Sequence, residues 1–171
     1  MSDRNSTDVS EREDRFVDLR FSELSSAEKQ SLVALAMGIL KQRHRAGRAL
    51  TSPNDTRAYL CLKLAERKAE VFGGFFLDNR HRVIETVELF QGTIDGASVH
   101  PRVVVQRALE VNAAAVVFFH NHPSGVAEPS RADEAITRRL TEALALVDIR
   151  VLDHFVVAAG ESVSFAERGL L

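Results

Sequence analysis

The sequence predicts an α/β domain in which a β-sheet is covered by helices on both faces. Three observations carry this. Ala115, Val116, Val117, Phe118 and Phe119 form an unbroken apolar run of the kind found in a strand buried on both sides. After Ser130, the apolar residues Ile136, Leu140, Leu144 and Val147 recur at helical spacing. Read along the chain, the elements follow the order ααββαβαβ, which places helices on either side of the strands.

Taken in order, residues 1–15 hold only Met1 and Val9 as apolar residues, too few to offset the entropy of ordering them. Residues 1–24 are therefore expected to be a flexible tail. Ser25 and Glu28 fit a capping box, and Leu32, Val33, Leu35, Ala36, Ile39 and Leu40 recur at helical spacing up to about Gly47. Residues 25–50 are read as this N-terminal helix, and residues 51–171 as the main domain. Ser52 and Pro53 open a shorter helix carrying Tyr59, Leu60 and Leu64. From Glu70 an aromatic run, Phe72 to Leu77, is bounded by Asp78, Asn79 and Arg80 and followed by Val83 to Phe90, which fits two strands of a hairpin. His100 and Pro101 open a helix that Asn112 is placed to end. The strand Ala115–Phe119 stops at His120, a Pro- and Gly-containing loop follows, and Ser130 opens the next helix. Ile149 to Val157 reads as a strand, Gly160 and Glu161 as a turn, and the chain closes in a short end piece from Ser162.

The 171 residues suit one domain. Hydrophobic residues make up 45% and charged residues 27%, so a sizeable core can form. The net charge of −2 leaves no general positive field for nucleic acid or an anionic membrane, so any such binding must be local and weak. Cys61 is the only cysteine, which excludes an intramolecular disulfide, a zinc ribbon and a CxxC redox site. With no apolar leader and no run approaching about 18 apolar residues, the expectation is a soluble, cytoplasmic protein with no membrane partner.

The chemistry concentrates between His120 and Asp133. Two histidines at i and i+2 of extended backbone point to one side, so both imidazoles can reach one ion. Pro123 biases His122 away from helical dihedrals. Asp133 falls in the first turn of the next helix, where the macrodipole keeps a carboxylate ionised. Two neutral histidines and one aspartate leave a tetrahedral zinc one open position, as in catalytic zinc sites. Each residue also has a plain structural reading: Ser130 with Asp133 makes a serviceable capping box, and a lone His-x-His pair is a weak signal. Together they place two imidazoles at the carboxyl end of a buried strand, facing a helix N-terminus, where α/β sites form.

His120-x-His122, seven residues, Ser130, two residues and Asp133 have the spacing of the JAMM (MPN+) metalloprotease motif. The surrounding residues, His120 to Gly125, Pro129 to Asp133 and Thr137 to Leu140, resemble bacterial RadC proteins in particular. The resemblance runs over about residues 52–171 and includes Glu70 to Phe72, Leu89 to Gly92, Val99 to Arg102 and Val151 to His154. It implies a three-layer α-β-α domain with a mixed sheet, of the cytidine-deaminase-like kind. It further implies one zinc per chain held by His120, His122 and Asp133, a glutamate at Glu70 that activates the attacking water, and a hydroxyl at Ser130 that steadies the oxyanion. Glu70 shares strand parity with Phe72, Gly74 and Phe76, whereas Glu66 is placed on a helix and Glu85 and Glu88 on a later strand. Asn121 stands where eukaryotic JAMM proteases have Ser or Thr. Nothing before residue 50 carries the Gly-containing hairpin of the helix-hairpin-helix region usual in RadC proteins.

The first reading is therefore a zinc-dependent metallohydrolase, a peptidase or isopeptidase acting on a peptide or protein substrate. The alternatives are an accessory protein of DNA repair or DNA metabolism, its metal site structural or nucleolytic, and an inactive module that binds another protein. His154 and Asp153 are assigned supporting or structural duty rather than ligation. His100 is read as a helix-entry residue. His44 is grouped with Lys41, Arg43, Arg45 and Arg48 as the cationic end of a helix, where positive charge complements the dipole.

Overall fold

The computed structural model describes residues 16–50, 52–65, 67–92 and 99–171. The expected tail over residues 1–15 and the helical placing of Glu66 lie outside the described residues. The elements are α1 (Ser26–Arg43), α2 (Pro53–Leu64), β1 (Val71–Leu77), β2 (Val83–Gln91), α3 (Pro101–Glu110), β3 (Ala115–Asn121), α4 (Arg131–Ala145), β4 (Arg150–Ala158), β5 (Glu161–Ser164) and α5 (Phe165–Arg168). None of these helices is long and apolar enough to cross a membrane.

The described residues fall into two compact units, one up to Leu35 and one from Ala36 to Leu171. In the first, a 3₁₀ turn at Phe21–Glu23 falls inside the stretch expected to be a tail. Lys29 lies 4.1 Å over the Phe21 ring. The Ser25–Glu28 capping box is present: Ser25 N–H donates to the Glu28 carboxylate at 2.8 Å, and Glu28 N–H to Ser25 Oγ at 3.3 Å.

In the second unit a five-stranded sheet runs in the order β2-β1-β3-β4-β5. β3 and β4 are parallel and every other pairing is antiparallel, so the sheet is mixed. The parallel pair arises because α4 carries the chain across one face between β3 and β4, a connection parallel strands require. Alternation along the strands sends side chains to two cores. Phe75, Leu77, Val117 and Phe119 pack with Tyr59, Leu60 and Leu64 of α2, while Phe72, Phe76, Val116 and Phe118 pack with Val104 and Ala108 of α3 and Leu140 and Leu144 of α4. Three α-β-α layers result, and β1 and β3 are buried along their whole length.

Gly73 is needed at the centre of this sheet. A Cβ there would lie 2.5 Å from the Phe119 ring and 2.5 Å from the Val87 carbonyl oxygen, beside a register shift between Phe72 and Gly73.

Four expectations need correction. The helix expected over residues 25–50 ends at Arg43. Gly47 N–H instead donates to the Val83 carbonyl, Val83 N–H to Arg48, and Leu50 N–H to His81, so the chain after α1 satisfies its backbone on the β1–β2 hairpin. β3 does not stop at His120 but runs through Asn121, because β1 and β4 supply partners on both sides, Phe72 for His120 and Val157 for Asn121. The end piece contains a fifth strand, β5, whose four residues are too short and too polar to show a period. His44 is no helix-end cation. It is 6% exposed, its ring stacks on Tyr59 at 4.6 Å, and its Nδ1 meets the Leu40 carbonyl at 2.8 Å. Burial pushes its pKa below the ordinary imidazole value, against the Leu40 contact and the charge of Asp55.

Candidate metal centre at the carboxyl end of β3

His120 is the penultimate residue of β3. His122 lies just past the strand, held in register because its N–H donates to the Val157 carbonyl of β4 at 2.9 Å. The i, i+2 spacing brings the two Nε2 atoms within 2.9 Å of each other. Asp133 enters from the first turn of α4, which is set by a capping box. Ser130 N–H donates to Asp133 Oδ2 at 2.7 Å, and Asp133 N–H donates to Ser130 Oγ at 3.1 Å. The carboxylate then spans both imidazoles, Oδ1 lying 3.3 Å from His120 Nε2 and Oδ2 3.3 Å from His122 Nε2. His120 is 1% exposed, while the side chains of His122 and Asp133 keep 18% and 14%, so the cluster opens to solvent on the side of the latter two.

The donor set suits a cation. His122 Nδ1 lies 2.8 Å from the Val126 carbonyl oxygen, an atom that can only accept, so Nδ1 carries a proton and in the neutral ring Nε2 presents a lone pair. That lone pair, His120 Nε2 and the Asp133 carboxylate all lie within 4.8 Å of one another. With both rings neutral these atoms can serve a cation as ligands, and a proton on His122 Nε2, donated to Asp133, is the other way the cluster is satisfied. Burial acts to raise the pKa of Asp133, yet the hydrogen bonds with His120, His122 and Ser130 outweigh it and hold the carboxyl well below the usual range. The hydrogen bond to Asp133 in turn raises the pKa of His122 against its partial burial, with the Val126 carbonyl and the charges of Asp133 and Glu70 adding to it. His120, His122 and Asp133 are the one group of three or more such residues that could hold a metal ion among the described residues.

Glu70 precedes β1 by one residue, so it lies beside the strand rather than on it. The antiparallel register of β1 against β3 ends with Phe72 opposite His120, and the charge of Glu70 acts on His122. Phe72, two residues on, stacks its ring on His120 at 6.2 Å. Sequence reasoning treated Asn121 only as a departure from a motif. In the fold it reaches over to β1: its Oδ1 accepts the Val71 N–H at 2.8 Å, and its Nδ2 donates to the Ala69 carbonyl at 3.2 Å. Ser130 performs its capping role, and accepting a backbone N–H leaves the hydroxyl proton available to donate.

The remaining predicted residues sort cleanly. His100 is the N-cap of α3, edge-on to Phe90 at 6.0 Å. Asp153 organises the chain end, accepting from Ser164 Oγ at 2.6 Å and from Ala166 N–H at 3.0 Å. His154 lies against the site, its Nε2 2.8 Å from His120 Nδ1. On its far side is Thr137, which sequence reasoning missed as a site residue. Its sequence signals are its place in the RadC-like run Thr137 to Leu140 and its position four residues after Asp133, on the same face of α4.

A mixed sheet between helical layers, with its polar cluster where a buried strand meets the amino end of a crossover helix, defines the class: an α/β domain of the JAB/MPN kind. Comparison with known proteins narrows it. The model of the RadC-like JAB domain matches residues 50–170, and the chain belongs to that family. A UPF0758 protein of Marinobacter nauticus is 60% identical over 145 residues, covering 85% of this chain and 65% of its own length. A UPF0758 protein of Thioalkalivibrio sulfidiphilus is 64% identical over 146 residues, with the same shares. One of Vibrio parahaemolyticus is 59% identical over 140 residues, 82% of this chain and 62% of its own. The chain thus spans about 65% of the length of the curated relatives it matches.

Proposed function

We propose that this chain is a zinc-dependent hydrolase of peptide or isopeptide bonds, with one zinc per chain held by His120, His122 and Asp133. The observation that supports this reading best is the convergence of two imidazole nitrogens and a carboxylate within 4.8 Å, open to solvent on one side. When bound, zinc would supply Lewis-acid polarisation of the scissile carbonyl and of the attacking water.

The chain's own groups would do the rest. Glu70, whose charge acts on His122, would accept a proton from the attacking water on a carboxylate oxygen and pass it to the leaving amine nitrogen. The Ser130 hydroxyl would donate its free proton to the oxyanion. Asp133, locked by its capping box, keeps its carboxylate aimed at both histidines. Beside His122, a cavity of about 160 Å³ bounded by Leu64, Asn121, Gly125 and Val157 would receive one substrate side chain.

The test has two arms. Elemental analysis of the purified chain should find one zinc per molecule, lost in His120→Ala, His122→Ala and Asp133→Ala. The zinc-loaded chain, incubated with a peptide library and with isopeptide-linked peptides, should generate new amino groups detectable by mass spectrometry. Full zinc content in all three variants would overturn the ligand assignment. A zinc-loaded chain that cleaves none of these amides would overturn the hydrolase reading.

A further inference from the structure

We infer that Thr137 and His154 form a proton-fixed relay that sets the tautomer of His120 and so turns its Nε2 lone pair toward the metal position. Both are positioning residues, and the inference rests on the metal-site reading above.

The argument starts at an atom with no freedom. The main-chain carbonyl oxygen of Asp133 can only accept, and Thr137 Oγ1 lies 2.6 Å from it, so the single hydroxyl proton of Thr137 is committed there. Thr137 Oγ1 also lies 2.7 Å from His154 Nδ1. With its proton spent, the hydroxyl must accept, so His154 Nδ1 carries a hydrogen. His154 is fully buried and surrounded by the rings of Phe72, Phe118 and Phe165 at 5.3, 6.0 and 4.8 Å, a setting that holds the imidazole neutral with one N–H. Its Nε2 is therefore bare and must accept from His120 Nδ1, 2.8 Å away. That contact places the proton of His120 on Nδ1 and leaves Nε2 as the lone pair, facing His122 Nε2 at 2.9 Å and Asp133 Oδ1 at 3.3 Å.

The relay begins at the backbone of Asp133 and ends at the ring of His120, so one candidate ligand orients another through two buried side chains. His122 reaches the same tautomer by a shorter route, through the Val126 carbonyl. Second partners of this kind typically affect metal affinity about 10- to 100-fold.

Two measurements test the relay. In the metal-free chain labelled with ¹⁵N-histidine, long-range proton–nitrogen spectra should show His120 protonated at Nδ1 and His154 bare at Nε2. The opposite tautomer at either ring overturns the relay without any variant having to fold. Zinc affinity by competition with a chromophoric chelator should fall about 10- to 100-fold in Thr137→Val and stay within about threefold of the parent in Thr137→Ser, which keeps the hydroxyl. Circular dichroism confirms that both variants are folded, and His154→Gln replaces Thr137→Val if the latter is not. If Thr137→Val binds zinc like the parent, the relay fails while the ligand assignment stands. If the parent chain binds no zinc, the metal-site reading itself fails.

Discussion

Asn121 grips the chain on either side of Glu70: its carboxamide oxygen takes the Val71 N–H at 2.8 Å and its carboxamide nitrogen reaches the Ala69 carbonyl at 3.2 Å. A Ser or Thr at this position is too short to reach two backbone groups that straddle a residue. The side chain between the two histidines therefore ties the backbone that carries Glu70 to β3.

Asn121→Ala should keep the zinc content and loosen Glu70. Loss of a buried acceptor leaves the Val71 N–H unpaired, at a cost of about 1–3 kcal/mol. Hydrogen exchange should report faster exchange of the Val71 amide, with hydrolysis lowered about 10-fold or more while zinc affinity holds. Unchanged Val71 protection would show that β1 alone positions this segment.

Glu70→Gln should retain zinc and abolish hydrolysis, because the amide fills the same space and cannot take up a proton. The expected loss is at least about 10²- to 10⁴-fold. Ser130→Ala should cost about 10²- to 10³-fold by removing an oxyanion donor, together with about 0.5–2 kcal/mol of stability from the lost N-cap. Wild-type rates in zinc-loaded Glu70→Gln would reduce Glu70 to an ordinary surface carboxylate.

His44 should make stability sensitive to mild acid. Its pKa in the fold is depressed by burial, so as pH falls below about 6.5 the unfolded chain takes up a proton that the folded chain does not. Its contribution is fully present above that value and is lost toward acid, at up to about 1.4 kcal/mol per pH unit. His44→Phe keeps a ring against Tyr59 but cannot titrate. Urea titrations should therefore show its stability deficit relative to the parent narrowing between pH 7 and pH 5, and a constant deficit would refute the assignment.

DNA binding by this chain should be weak and sensitive to salt. Arg43 at the end of α1 and Arg48 after it line a groove of about 440 Å³ with Arg82, but Arg43 is already paired with Asp55 and Arg82 with Asp78. Neutralising about three phosphates would mean roughly 40-fold weaker binding over a fourfold rise in salt. Tight binding that resists salt, measured by fluorescence anisotropy, would favour a DNA accessory role over the hydrolase reading.

The local part of this molecule was legible in the sequence. The alternation of an extended strand put His120 and His122 on one side, and a capping box placed Asp133 at a helix start, because each depends on backbone geometry within a few residues. The layers followed for the same reason, since a five-residue apolar run must be covered on both faces. What only the tertiary structure decided involves residues far apart in the chain. Asn121 meets Val71 across 50 residues and His120 meets His154 across 34. Which groups meet there depends on strand order, on the register of β1 and β4 against β3, and on the crossover that lays Thr137 over His154. His44 shows the same limit from the other side. Its neighbours in sequence are cations, but its environment is set by Tyr59 of α2 and Phe75 of β1, and packing of the whole sheet, unlike helical or strand periodicity, leaves no short-range trace in the order of residues.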